Sequence, residues 1–104
     1  MIYFITQDDQ FVKIGHTKDS PEKRLVQLQI GNPKQLKLEK VIHGGETKEA
    51  TLHSRFGPYH ERGEWYWLSR EIRTYINSQK AFDADPYQRI EDHRGVIAIL
   101  NGKR

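Results

Sequence analysis

Hydrophobic and polar positions alternate most clearly at the start of this chain. Two runs of β-branched and aromatic residues, Ile2 to Thr6 and Phe11 to Thr17, flank a polar break at Gln7 to Gln10. That pattern predicts a β-hairpin. Its register depends on the loop. A two-residue loop at Asp8-Asp9 pairs Tyr3 with Ile14 and sets Tyr3 and Lys13 on opposite faces. An odd loop of three or five residues instead puts Tyr3, Ile5, Phe11, Lys13, Gly15 and Thr17 on one face. The other face then carries Ile2, Phe4, Val12 and Ile14, with His16 as its polar member. Because side chains alternate with period two, a one-residue slip exchanges these sets. The odd loop is preferred, since it yields one clean core face and one mixed face where a tyrosine, a lysine and a glycine meet.

A helix is predicted next. Ser20 is a good N-cap, Pro21 suits the first helical position, Glu22 favours the positive end of the dipole, and Gly31 before Asn32-Pro33 closes it. Leu25 and Leu28 face inward, and Arg24 lies one turn before Leu28. Gln35 to His43 reads as a third strand, with Leu36, Leu38 and Ile42 alternating against Lys37, Glu39 and His43, and Gly44-Gly45 ends it. A second helix runs from Glu46 or Thr47 to Phe56. Glu49, Leu52, His53 and Phe56 share one face of it, and the apolar members mark that face as inward. A carboxylate on it is the anomaly.

Residues 59–64 read as a polar loop, Trp65 to Trp67 as a short extended piece, and Ser69 as the cap of a third helix with the stripe Leu68, Ile72, Tyr75 and Ile76. From about Lys80 the pattern changes. Residues 83–92 are mostly polar, while Gly95 to Leu100 is apolar and suits a strand that joins the sheet, pairs with a second subunit, or stays loosely attached. The division expected is a domain over 1–78 and a C-terminal extension over 79–104, the protein being a monomer or a homodimer through that extension.

A chain of 104 residues makes one domain with a modest core. Its net charge of +3 permits nucleic-acid binding without arguing for it, because phosphate contact depends on where cations cluster. The excess lies mainly in Lys34, Lys37 and Lys40, which suit either a DNA-tracking edge or an ordinary solvated strand edge. The absence of cysteine excludes disulfides and thiolate metal sites. No apolar run has the length of a membrane span, and Asp8 and Asp9 interrupt the only signal-peptide candidate, so a cytoplasmic protein is expected.

The order Ile-Tyr-Phe-Ile, then Val-Lys-Ile-Gly-His-Thr, then an arginine in the following helix, then Glu-x2-Leu-His-x2-Phe, then Gly-Glu-Trp-Tyr resembles the GIY-YIG endonuclease superfamily. It is most similar to the small phage-associated branch whose second motif reads Lys-Ile-Gly, and the resemblance covers residues 1 to about 78. It implies an α/β (α+β) domain with a small three-stranded antiparallel sheet flanked by helices. It also implies a metal-dependent endodeoxyribonuclease hydrolysing phosphodiester bonds in DNA at a single site. Carried over residue by residue, Tyr3 matches the first motif's tyrosine, and Lys13 replaces the tyrosine of the second. Arg24 matches the helix arginine, and Glu49 the glutamate that holds Mg²⁺ or Mn²⁺.

In that reaction Arg24 clamps non-bridging oxygens, Lys13 adds positive charge, and Tyr3 orients or deprotonates water. Many members carry a histidine one turn after the arginine. Leu28 stands there in this chain, which passes any base role to His16 or His53. Read from the residues alone, Glu49 and His53 make a weak zinc pair. Glu64 braces its loop, and Trp65, Tyr66 and Trp67 fill the core or stack on bases.

Overall fold

The computed structural model describes residues 1–82. The first hairpin joins β1 (Ile2–Gln7) to β2 (Phe11–His16). Tyr3 lies opposite Gly15, Ile5 opposite Lys13 and Gln7 opposite Phe11, so the loop is the odd, three-residue one. Asp8 and Asp9 both adopt φ of 56°, a left-handed conformation that aspartate tolerates, and the Gln10 N–H closes the turn on the Gln7 carbonyl at 3.0 Å.

Helix α1 (Pro21–Ile30) starts at the predicted cap, where the Ser20 hydroxyl accepts from the Lys23 N–H at 3.1 Å. β3 (Leu36–Ile42) then pairs with β1 on the side away from β2. Simple alternation fails here. Phe4 pairs with Lys40 and Ile5 with Leu38, which leaves Glu39 as an extra residue, a β-bulge. Leu36, Leu38 and Val41 therefore pack on one side of the sheet and Ile42 on the other. The Glu39 carboxylate explains the bulge, since it accepts from the Thr6 hydroxyl at 2.9 Å and from Arg73 at 3.3 Å.

Helix α2 (Glu46–Arg55) is capped by Phe56 and followed by a short 3₁₀ turn at Gly57–Tyr59. The segment read as a polar loop contains a strand, β4 (His60–Arg62), which folds back through Gly63 (φ 56°) onto β5 (Trp65–Trp67). β5 pairs with β2, so the sheet has five antiparallel strands in the order β3-β1-β2-β5-β4 rather than three. The expected three-strand count fails for a physical reason. β4 is a fully exposed edge of three residues, and such a strand carries no apolar alternation to announce it. Helix α3 (Arg70–Ser78) begins at Ser69, whose hydroxyl accepts from the Ile72 N–H at 3.2 Å.

Both faces of the sheet are covered. Ile2, Phe4, Val12 and Ile14 pack with Leu52 and Phe56 of α2 and Ile72 and Ile76 of α3. Tyr3 and Ile5 pack with Leu25 of α1 and with β3. After α3 the chain returns along β3, where the Phe82 N–H donates to the Val41 carbonyl at 2.6 Å. The apolar run at Gly95 to Leu100, and with it the expected dimer contact, lies outside the described residues. Among the described residues no helix is long and apolar enough to cross a membrane.

Candidate active site at the open end of strand β2

β2 pairs with β5 only over Phe11 to Lys13. Beyond that point its outer edge meets one backbone carbonyl and a histidine side chain instead of a paired strand. The Ile14 N–H donates to the Glu64 carbonyl at 3.0 Å, and the Ile14 carbonyl accepts from His53 Nε2 at 2.8 Å. Because the sheet ends there, groups belonging to its two faces come within reach of one another.

On the α1 side, Tyr3 is 1% exposed and Arg24 hydrogen-bonds to it. That bond, reinforced by the charge interactions with Tyr3 and Glu64, raises the Arg24 guanidinium above its ordinary pKa. Gly15 makes the arrangement possible. A Cβ at this position would overlap the Tyr3 hydroxyl, so the phenol lies directly over the glycine. Gly15→Ala is expected to push the tyrosine off this seat at a cost of about 1–3 kcal/mol, read as a lower urea midpoint. An unchanged midpoint would show that the ring is free to move.

On the α2 side, His16 Nδ1 and Glu49 Oε1 lie 2.8 Å apart. An ionised carboxylate only accepts, so the imidazole donates from Nδ1, and its Nε2 has no partner among the described residues. His53 lies one turn further along α2, its Nε2 4.0 Å from Glu49 Oε2. The Glu49 side chain is only 12% exposed, and its Oε2 is buried without a hydrogen-bond partner. This is costly for a carboxylate.

Glu64 joins the two sides. Its carboxylate lies 3.0 Å from Lys13 Nζ and also contacts Glu49. Burial works most strongly, to raise the Glu64 carboxyl, but the hydrogen bond and charge of Lys13, with smaller contributions from Glu49 and His53, together outweigh it and hold the group below its ordinary range. A carboxyl so lowered stabilises the fold above its unfolded-state pKa, and that contribution is lost as pH falls through the folded-state value. Lys13→Met is expected to shift the Glu64 carboxyl upward in a ¹³C NMR titration. An unmoved titration would mean that the ion pair does not govern it.

Glu49, His53 and Glu64 each offer one ligand atom within 4.8 Å of the other two. An unpartnered, buried carboxylate oxygen is the kind of donor a hard divalent cation takes. Of the residues named from the sequence, the fold brings Tyr3 to Arg24, and His16 and His53 to Glu49. Lys13 reaches this group through Glu64. Glu64, to which the sequence assigns only the bracing of its loop, joins them here. The turn at Gly63 sets Glu64 at the head of β5, and only the docking of β5 on β2 brings it to Lys13 and Glu49.

The three lysines of the basic excess do not form a common track. Lys40 Nζ donates to the Ile76 and Gln79 carbonyls at 2.7 Å each, Lys34 pairs with Asp8 at 3.2 Å, and Lys37 lies 3.8 Å from Glu39.

Fold and site together define a small mixed α+β domain with a carboxylate–histidine cluster beside a tyrosine–arginine pair. A family model described as the T5orf172 domain matches residues 1–92, and the chain belongs to this phage-associated family. No curated protein and no solved structure matches it.

Proposed function

We propose that this protein is a divalent-metal-dependent DNA endonuclease of the GIY-YIG type, hydrolysing phosphodiester bonds at the open end of β2. The observation carrying this reading is the Glu49 carboxylate. It is nearly buried, has an unpartnered Oε2, and groups with His53 and Glu64 so that one ligand atom of each lies within 4.8 Å of the other two. Glu49 would hold Mg²⁺ or Mn²⁺, with His53 and Glu64 beside it. When bound, the ion supplies Lewis-acid polarisation of the phosphate and positive charge for the departing 3′-oxygen.

The protein's own groups account for the rest. Arg24 and Lys13 present donors to the non-bridging oxygens, where negative charge accumulates during in-line attack. The Tyr3 hydroxyl, fixed over Gly15 and bonded to Arg24, orients the attacking water. His16 is the better-placed base. Glu49 holds its Nδ1–H, which leaves Nε2 to take the water proton as the P–O3′ bond breaks. His53 Nε2 is committed to the Ile14 carbonyl, so His53 serves as a positioning residue.

A second reading, a DNA-binding module on this fold without catalysis, rests on Leu28. It stands where many GIY-YIG members carry a histidine, and it packs against the α1-side core. Incubating supercoiled plasmid with the full chain and Mg²⁺ or Mn²⁺, against an EDTA control, separates the two. Metal-dependent conversion to the open-circular form supports the nuclease. Salt-sensitive DNA binding without nicking supports the module.

A further inference from the structure

α1 packs over β1 and β3, and the same face of the sheet continues past it across β2, β5 and β4. A cavity of about 270 Å³ lies there, lined by Gln7, Phe11, Asn32, Glu61, Arg62 and Trp65. We propose that this cavity holds an unstacked nucleobase of the strand being cut, which makes single-stranded or locally unpaired DNA the substrate class. The proposal rests on the nuclease reading for the identity of DNA as ligand.

The size is appropriate to one planar heteroaromatic ring. Sites for drug-sized ligands begin at roughly 300 Å³, and this cavity falls just short of that. The walls have the right chemistry. Trp65 is half-buried, with part of its ring packed against the α1-side core, which makes it a rigid stacking surface. Phe11 and Trp67 pair at 4.6 Å between ring centroids, and Trp67 remains 47% exposed.

Polar edges are available as well. Asn32 Nδ2 donates to Gln7 Oε1 at 3.1 Å while Asn32 Oδ1 accepts from the Lys34 N–H at 2.9 Å. These bonds orient both amides and leave Gln7 Nε2 without a partner among the described residues, free to donate to a base edge. Glu61 and Arg62 form no ion pair among the described residues, which leaves one acceptor and one donor at the rim.

The neighbouring ammonium of Lys13, which also pairs with Glu64 at 3.0 Å, favours a nucleotide over a peptide ring by its position. Lys13 Nζ lies 5.8 Å from the Trp65 ring centroid, and Lys13 is two residues from Phe11 on the same face of β2, about 7 Å away. A base on Trp65 and a phosphate on Lys13 can therefore belong to one nucleotide. A base inside an intact duplex presents only its edges, so seating its ring on Trp65 requires an unpaired or extruded nucleotide.

The test measures binding in EDTA by the full chain. It compares a labelled single-stranded oligonucleotide, an abasic oligonucleotide with the same number of phosphates, and a blunt duplex. The natural single strand is expected to bind about tenfold more tightly than the abasic one, which isolates stacking from charge. It should also bind more tightly than the duplex and quench emission from Trp65 and Trp67. Phe11→Leu and Trp65→Leu should remove most of that tenfold difference while keeping the affinity for the abasic strand. Equal affinity of the wild-type chain for natural and abasic strands overturns the proposal, whatever happens to the variants. A chain that fails to nick plasmid yet prefers the natural single strand contradicts only the nuclease reading. Nicking without base preference contradicts only this one.

Discussion

Glu49→Gln is expected to reduce plasmid nicking on the order of 10³-fold while raising the thermal midpoint of the metal-free protein. The two effects have one origin. Glutamine is nearly isosteric and keeps an oxygen to accept from His16 Nδ1, so the geometry around α2 persists. What disappears is a negative charge with an unpartnered buried oxygen in contact with a second carboxylate, Glu64. The amide nitrogen that replaces Oε2 can donate to the Glu64 carboxylate, and exchanging an unsatisfied buried acceptor for a satisfied donor relieves about 1 kcal/mol, roughly 4–8 °C for a domain of this size. The same charge is what a divalent cation needs. Stability and activity should therefore move in opposite directions. Wild-type nicking by the variant would remove Glu49 from the reaction. A lowered midpoint would show that its carboxylate is satisfied.

Arg24→Ala is expected to lower nicking by about 10²–10³-fold, with a loss of stability near 1 kcal/mol, because the buried Tyr3 hydroxyl loses its partner. Arg24→Lys should restore little. An ammonium cannot bond the phenol and clamp two phosphate oxygens with one planar group. Tyr3→Phe provides the companion test, since it deletes the hydroxyl and leaves the ring in the core. If tyrosine and arginine act as a unit, the double variant should lose scarcely more activity than the worse single one. Fully additive losses would mean that they serve separate steps.

Much of the site could be read from the sequence because it is built on strict periodicities. Tyr3, Lys13 and Gly15 share a face once the hairpin loop is odd, and Glu49 shares a helical face with Leu52 and Phe56. Caps at Ser20 and Ser69 fixed two helix starts for the same local reason. Three things were not legible. The bulge at Glu39 depends on Thr6 and Arg73, more than thirty residues away on either side. β4 has no buried side chain to betray it. Glu64 gains its importance from where β5 docks on β2, a long-range pairing that local pattern does not encode. The proposed nuclease activity rests on the resemblance and the site geometry, and the plasmid assay tests it.

The termination of β2 pairing at Lys13 has a consequence for how the molecule comes into being. The groups at the open end are drawn from residue 3 to residue 64, so no single local unit contains them. The hairpin and the individual helices close through short-range contacts, whereas docking of β5 on β2 spans more than fifty residues and must overcome a larger loop entropy. During refolding, the proposed cation affinity should therefore appear later than hairpin formation. A half-made chain carries its carboxylates as separate, solvated charges, and only the finished topology converts them into a centre.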